Sequence, residues 1–177
     1  YDCPLIETYL KGAWSDRAGA VLRMLPQLIF TEVNDAVPPP VQQALLFSPA
    51  LANVNLEHPE CAGNIPLAGC SLSYQVAHLA RFGYSLIVYA QAGAVFAHES
   101  VLPQLAKLRI YGPLDEFECY WHAPLAAQCA SGRQIRRWFH ESDGPKTAWS
   151  LVAEVTDHLK ALEQHFGLPS MPVVLEL

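Results

Sequence analysis

The sequence has few charged residues and no long apolar run, and both absences narrow the classes of protein to which it can belong. Charged residues make up 16% of the chain and apolar residues 51%, which excludes a disordered chain and indicates a well-buried globular protein. No apolar run reaches transmembrane length, and the N-terminus lacks the basic-then-apolar layout of a signal peptide. The net charge of −6 disfavours nucleic acid as a partner, because phosphate binding needs a concentrated basic surface.

Paired C-x2-C knuckles, the usual mark of a zinc site, are also missing. The chain has five cysteines, an odd number, and they are scattered. Such a set favours reduced thiols, so we expect a cytoplasmic protein. Cys119, His122 and Cys129 offer three ligands for a metal, but a free cysteine is more commonly a small buried hydrophobe. The sequence therefore predicts no metal site among these residues.

Strand-like and helix-like segments alternate along the first two thirds of the chain. Their apolar patterns predict, in order, helix 5–24, strand 27–33, helical turns 41–47, strand 51–56, helix 73–82, strand 85–90 and helix 92–111. Because strand and helix alternate, we expect an α/β fold of parallel β/α units.

The last third of the chain follows a different pattern. Residues 117–121 are predicted to be extended, residues 131–139 to form a short helix and residues 171–177 to form a final strand. A long helix is predicted from the stripe Leu151, Val155, Leu159, Leu162 and Phe166. The 177 residues suffice for one domain, so we divide the chain into a β/α region, 1–112, and a mainly helical extension, 113–177, packed on it.

Polar residues follow the predicted strands at their C-terminal ends. Glu32 follows QLIF, Asn53 follows PALA and Gln91 follows SLIVYA. In parallel β/α proteins this end of the sheet faces the ligand-binding side, so the three side chains are predicted to line one site. The alternative is that they only cap the helices that follow.

Four segments between residues 18 and 112 share their order and spacing with a known family. They are LIFTE, LAN, the turn Gly63-x-x-Pro66-Leu67 and the run ARFGYSLIVYAQAGAVFAHESVLPQLAKLRIYG. This series resembles the isocitrate lyase and phosphoenolpyruvate mutase superfamily, and its methylisocitrate-lyase-like members in particular. The resemblance covers about half of the chain and depends on the combination of segments, since none is specific alone.

The resemblance implies a fold and a site. The fold would be the second half of a (β/α)8 or TIM barrel, strands five to eight. Glu32 and Asn53 would lie at the top of the barrel and help to bind a small α-hydroxy or α-keto dicarboxylic acid and its Mg²⁺. Either Glu57 or Glu60 would match the acid of the family's T-E-F-G segment. The implied function is a Mg²⁺-dependent lyase that breaks C–C or P–C bonds.

Two parts of the family's machinery have no counterpart in this sequence. The family holds Mg²⁺ with acidic residues from the first half of the barrel, and it carries a K-K-C-G-H-type loop with the acid/base Cys. A lyase of this class needs both, the metal to stabilise the enolate and the Cys to move a proton. We therefore expect a chain that is incomplete or inactive alone, or else a non-catalytic module for small-molecule binding or assembly.

Assembly is expected from the same resemblance. Half a barrel leaves strand edges open and apolar surface uncovered, which favours a homo-oligomer or a missing upstream half. Family members also exchange their final barrel helix, which would match residues 92–111 here.

Two other motifs compete with this interpretation. Residues 58–64, HPECAGN, resemble the H-P-F-x-x-G-N of Fic nucleotidyl transferases, but Pro66 stands where that family has its phosphate-binding Arg. Residues 69–73, GCSLS, lack the closing Gly of a nucleophile elbow, so a helix N-terminus explains Ser71 better.

Overall fold

The computed structural model describes residues 14–15, 21–22, 25–34, 37–46, 69–90, 93–122, 148–167 and 173–177. In chain order the elements are β1 (Trp14–Ser15), β2 (Val21–Leu22), β3 (Leu28–Glu32), β4 (Gln42–Leu45), α1 (Leu72–Ala80), β5 (Tyr84–Ala90), β6 (Gly93–His98), a 3-10 turn (Glu99–Val101), α2 (Leu102–Lys107), α3 (Glu116–His122), α4 (Ala148–Phe166) and β7 (Val173–Glu176). Among the described helices, none has the length and apolar composition needed to cross a membrane.

The described strands pair antiparallel. They form a two-stranded sheet β1-β2, a three-stranded sheet β3-β6-β5 and a two-stranded sheet β4-β7. The expected fold of parallel β/α units, resembling the second half of a (β/α)8 barrel, is therefore wrong. The reason lies between Ala90 and Gly93, which pair with each other at the ends of β5 and β6. Their connection is only residues 91–92, whereas a parallel crossover needs about a dozen residues or more.

The helix predicted over residues 92–111 is wrong in its first part, which is β6, and is confirmed over α2. Ala94 and Phe96 alternate with half-buried Val95, and both are fully buried against the core. Phe96 lies between Ile29 of β3 and Leu86 of β5 in the strand register. Burying one such side chain stabilises the fold by roughly 1.5–3 kcal/mol, which outweighs the helix propensity of the alanines.

Helices α1 and α3 cover the inner face of the three-stranded sheet. The main core cluster joins strand residues to Leu72 and Leu79 of α1 and to Tyr120 of α3. The ring of Tyr120 stacks on that of Tyr89, with 6.2 Å between centroids. After α1 the chain turns at Gly83, whose φ of +81° is favourable only for a residue without a Cβ.

The segment before α3 contacts the outer edge of β5 at Leu86 and Ile87. The backbone N–H of Leu114 donates to the carbonyl of Leu86 at 2.9 Å. At Gly112 a Cβ would come within 2.9 Å of Ile87 Cγ2, so the chain approaches β5 closely there. This contact shields one edge of the sheet.

The second body of the fold is β4-β7, packed with α4. Val155 and Leu159 of α4 are buried, and Val152 packs against Val37 and Val41. The predicted helix at the amphipathic stripe and the predicted final strand are thus confirmed as α4 and β7. Residues 113–177 contribute β7 to this pairing and α3 to the main core.

Of the other sequence predictions, some are confirmed and some are wrong. Strands at 27–33 and 85–90 and the helix at 73–82 are confirmed as β3, β5 and α1. The helix over 5–24 is wrong where β1 and β2 pair, the helical turns at 41–47 are strand β4, and the extended segment at 117–121 is helix α3. The predicted strand 51–56 and helix 131–139 lie outside the described residues.

Candidate functional site

Of the five predicted site residues, Glu32 is the one that the structure describes. It is the last residue of β3 and pairs with Gly93, which in turn pairs with Ala90. Glu32 therefore lies at the end of the sheet where β5 connects to β6. Its side chain is exposed. Asn53, Glu57, Glu60 and Gln91 lie outside the described residues.

Behind Glu32 lies a buried amide that the sequence reasoning missed. The Gln75 side chain, 1% exposed, donates from Nε2 to the Glu32 backbone carbonyl at 2.7 Å and to the Cys70 carbonyl at 3.3 Å. The hydroxyl of Thr31 lies 3.1 Å from Gln75 Oε1 and 2.9 Å from the same Glu32 carbonyl. Two signals were available in the sequence: Thr31 is a polar residue within an apolar strand, and Gln75 is a polar residue within an apolar helix.

A second set of buried polar groups continues this network toward β4. Asn34 donates from Nδ2 to Gln43 Oε1 at 3.0 Å, and its backbone N–H donates to the Cys70 carbonyl at 2.8 Å. The backbone N–H of Ser71 donates to the Gln43 carbonyl at 2.8 Å. We call Thr31, Asn34, Gln43, Ser71 and Gln75 the polar seam. It joins β3, β4 and the start of α1.

The polar seam has the chemistry of a structural network. Ser71 is fully buried; its hydroxyl donates to the Val41 carbonyl at 2.8 Å and accepts from the N–H groups of Gln43 and Tyr74. A nucleophilic serine needs a base and an open face. Ser71 instead caps α1, which confirms the helix N-terminus predicted at GCSLS.

One carboxylate is tied to the start of α1. Ser73 donates its hydroxyl to Glu116 Oε1 at 2.6 Å, a length typical of a charge-assisted hydrogen bond. Ser73 is buried and Glu116 is half-buried. This bond joins α1 to α3 across the core.

The two described cysteines differ in their chemical state. Cys119 of α3 is a free, half-buried cysteine. Burial raises the pKa of its thiol, and the carboxylates of Asp115 and Glu118 raise it further. A thiol held in its protonated form is a poor metal ligand and a poor nucleophile. In the described ranges, His, Cys, Asp and Glu form no group of three able to hold a metal ion.

Cys70 is disulfide-bonded. The expectation of reduced thiols throughout the chain is therefore wrong at this position. Its partner cysteine lies outside the described residues.

The outer face of the three-stranded sheet presents apolar side chains to solvent. Phe30 in the middle of β3 is 73% exposed, Leu28 is 49% exposed and Val88 of β5 is 41% exposed. Phe30 and Val88 each pair with Val95 of β6, so they flank it in one cross-strand row. We call Leu28, Phe30 and Val88 the apolar face. A cluster of large exposed apolar side chains is typical of an interaction surface.

The apolar face borders an edge of β3 that no other described strand occupies. Among the described strands β3 pairs with β6 alone. The Glu32 carbonyl bonds to Gln75 and therefore points away from β6. Backbone groups alternate in direction along a strand, so those of Leu28 and Phe30 also point away from β6.

No family model matches the chain, and no curated protein or solved structure matches it.

Proposed function

We propose that this chain is a non-catalytic assembly module that associates with a second copy of itself through β3. One observation carries the proposal: the most exposed aromatic ring on the sheet, Phe30, lies at the centre of a strand whose edge is open among the described strands. An open edge with apolar side chains is a template for pairing with another strand. A second copy offers the same edge.

The pairing that fits β3 is antiparallel, with a two-fold axis at Phe30. The two Phe30 residues would then exchange both backbone hydrogen bonds, and Leu28 would lie opposite Glu32 of the other copy. Gln75 and the Thr31 hydroxyl already donate to the Glu32 carbonyl. The carbonyls of Leu28 and Phe30 remain for the partner strand.

Charge supports the antiparallel direction. Glu32 is the only charged residue of β3. In the antiparallel pair the two carboxylates lie four residues apart along the strands, about 14 Å, which exceeds the Debye length at physiological salt. A parallel pair would bring them to about 4.8 Å, where like charges repel.

The small apolar area that this dimer would bury limits its affinity. An exposed Phe ring contributes roughly 150 Å², and the whole apolar face falls short of the ~1,200 Å² of a stable protein interface. We therefore expect a reversible dimer whose population depends on concentration.

The alternative predictions have no support among the described residues. Lyase chemistry, a small carboxylic acid ligand and Mg²⁺ were implied by a resemblance whose parallel scaffold is wrong for this chain. They stay predictions. The cytoplasmic location also stays a prediction, and the disulfide at Cys70 argues against its premise of reduced thiols.

Sedimentation velocity over a hundredfold range of protein concentration tests the assembly proposal. We expect the weight-average mass to rise from that of one chain, 19.5 kDa, toward that of two. A constant mass of one chain, or growth beyond two copies, would contradict the proposal. Loss of the mass increase in high salt would argue against apolar association, since salt does not weaken apolar contacts.

A further inference from the structure

The turn that follows α2 presents apolar and basic side chains together. Every residue from 106 to 113 is exposed. Within this run Leu108 is 71% exposed, Tyr111 is 68% exposed and Ile110 is 38% exposed. Lys107 and Arg109 alternate with these apolar residues. We call residues 107–111 the basic turn.

The backbone of the basic turn is fixed by hydrogen bonds to the end of α2. The N–H of Arg109 donates to the Ala106 carbonyl at 3.0 Å, and the N–H of Ile110 donates to the Leu105 carbonyl at 3.0 Å. These two bonds are those of a Schellman motif, in which the residue after the helix adopts a left-handed conformation and is usually glycine.

Arg109 occupies that left-handed position, with a φ of +61°. Among the described residues it is the one non-glycine with a positive φ. A side chain at such a position carries backbone strain that a glycine would relieve. An arginine there indicates that its charge has a use at this place on the surface.

Both ends of the basic turn are anchored to the sheet. On one side, Leu102 and Leu105 of α2 pack against the cluster of Ile87, Ala97 and Val101. On the other side, the segment at residues 112–114 contacts the outer edge of β5. Because both ends are held, the exposed apolar side chains cannot fold back onto the sheet without breaking these contacts.

We propose that the basic turn docks on an anionic phospholipid surface. Residues 100–114 contain two cations and no acidic residue, whereas the chain as a whole has a net charge of −6. Anionic headgroups attract Lys107 and Arg109, and the apolar side chains beside them partition into the boundary between headgroups and acyl chains. The amphipathic ring of Tyr111 suits this depth.

The negative charge of the rest of the chain supports one orientation. Anionic lipid repels the acidic surface and attracts the basic turn, so the chain approaches the membrane with this turn first. Such peripheral docking needs no apolar run of transmembrane length.

The exposure of the turn favours a lipid surface over a protein partner. A turn whose residues 106–113 are all exposed projects from the molecule. A fluid headgroup layer accommodates a projecting turn, whereas a protein partner must supply a cleft of complementary shape. With two cations and three apolar side chains, we expect reversible binding in which each cation contributes roughly fivefold.

Co-sedimentation of the full chain with lipid vesicles tests the proposal. The vesicles consist either of phosphatidylcholine alone or of phosphatidylcholine with roughly 30% phosphatidylserine. We expect binding to the second kind to be at least about tenfold stronger, and high salt to weaken it, because salt screens the attraction between cations and headgroups. Equal binding to both kinds of vesicle, or binding to neither, would overturn the proposal.

Arg109→Gly separates binding from folding. Glycine adopts a positive φ without strain, so we expect a thermal midpoint no lower than that of the unaltered chain. Vesicle binding should nevertheless fall roughly fivefold, because one cation is lost. Lys160→Gln on α4, where the side chain is 66% exposed, is the matched control and should change neither quantity. A lower midpoint with unchanged vesicle binding would assign Arg109 a structural role and contradict docking.

Leu108→Ser tests the apolar part of the contact. We expect vesicle binding to fall at least threefold, because a leucine that enters the membrane interface is lost. Trp149→Ser is its control, since Trp149 on α4 is also exposed but lies outside the basic turn. Unchanged binding by Leu108→Ser would mean adsorption by charge alone and would overturn docking through the apolar side chains.

The vesicle result is distinguishable from a failure of the proposed dimer. Phe30→Asp leaves residues 107–111 intact, so this variant should still bind phosphatidylserine vesicles when sedimentation shows a single chain. Loss of vesicle binding in Phe30→Asp would mean that the apolar face, and not the basic turn, contacts the lipid.

Discussion

The ring of Phe30 lies over Gly93, with Cε2 and Cζ each 3.0 Å from the position that a Cβ on residue 93 would occupy. The two residues are diagonal neighbours on β3 and β6. The missing Cβ lets the ring lie down along the sheet, where it covers the glycine and still exposes most of its surface. The absence of a side chain at Gly93 thus determines how closely the Phe30 ring lies against the sheet.

The first prediction concerns Phe30 itself. Phe30→Asp places a carboxylate at the proposed two-fold axis, opposite its own copy, and we expect it to weaken dimerisation at least tenfold. Trp149→Asp is the matched control, because Trp149 is also 73% exposed but belongs to α4, the helix packed with β4 and β7. Sedimentation measures both variants. Equal weakening by the two substitutions would show that general apolar exposure, and not β3, drives the association.

The second prediction concerns Gly93. Gly93→Ala adds a methyl group beneath the Phe30 ring and 3.3 Å from the Ala90 carbonyl, so the ring must lift. Since the ring's far end can move, we expect a loss of folding stability of only about 1 kcal/mol. The dimer dissociation constant should change more than the thermal midpoint does. A large loss of stability with unchanged dimerisation would mean that the ring does not contribute to the interface.

The third prediction concerns the polar seam. Gln75→Leu removes an amide that is 1% exposed and leaves the Glu32 and Cys70 carbonyls without its donor. Each carbonyl keeps one other donor, the Thr31 hydroxyl or the Asn34 N–H, so we expect a loss of roughly 1–3 kcal/mol in unfolding free energy. Gln164→Leu, at an exposed position of α4, is the control and should change it by less than about 0.5 kcal/mol. Denaturant unfolding measures both; similar losses would contradict a structural role of Gln75.

The fourth prediction concerns the Cys119 thiol and pH. Burial, Asp115 and Glu118 raise its pKa, so the folded state holds this proton more tightly than the unfolded state does. Stability linked to this proton is complete below the unfolded pKa and is lost as the pH rises through the higher folded pKa. Alkylation of folded Cys119 should therefore be slower than that of a free cysteine peptide at neutral pH and should accelerate at higher pH.

A neighbouring substitution separates charge from burial at Cys119. Asp115→Asn removes one of the two carboxylates and should speed alkylation, whereas Asp157→Asn, at an exposed position of α4, should not. Iodoacetamide rates at several pH values measure this. A rate that Asp115→Asn leaves unchanged would leave burial and Glu118 as the causes of the slow reaction.

The sequence predicted local structure better than it predicted how elements combine. LIFTE and SLIVYA are β-branched and aromatic runs that form strands in many contexts, and the period of α4 matches one apolar side of a helix. The direction of pairing depends on the connection at residues 91–92, where no Asn-Gly or Asp-Gly signal marks a hairpin. Without that signal, Gly93–His98 reads as the start of an alanine-rich helix.

The apolar face could not be predicted from the sequence. The sequence places Glu32 at the end of a strand, as the structure does. Phe30, on which the proposed interface depends, looks in the sequence like an ordinary core residue of an apolar run. Which side of a strand is covered depends on α1 and α3, which pack against the opposite face from distant parts of the chain. No periodicity within LIFTE carries that information.

The bond between Leu114 and Leu86 determines how large an assembly can become. Because that segment bonds to the outer edge of β5 at Leu86, β3 is the more accessible edge of the three-stranded sheet among the described strands. Once two copies have joined through β3, their three-stranded sheets form one continuous sheet that ends at a protected β5 on both sides. We expect the contact at Leu86 to hinder further pairing, so that growth of the proposed dimer into a fibre is disfavoured. A variant that frees β5, such as Leu114→Pro, removes this termination and should convert a soluble pair into filaments.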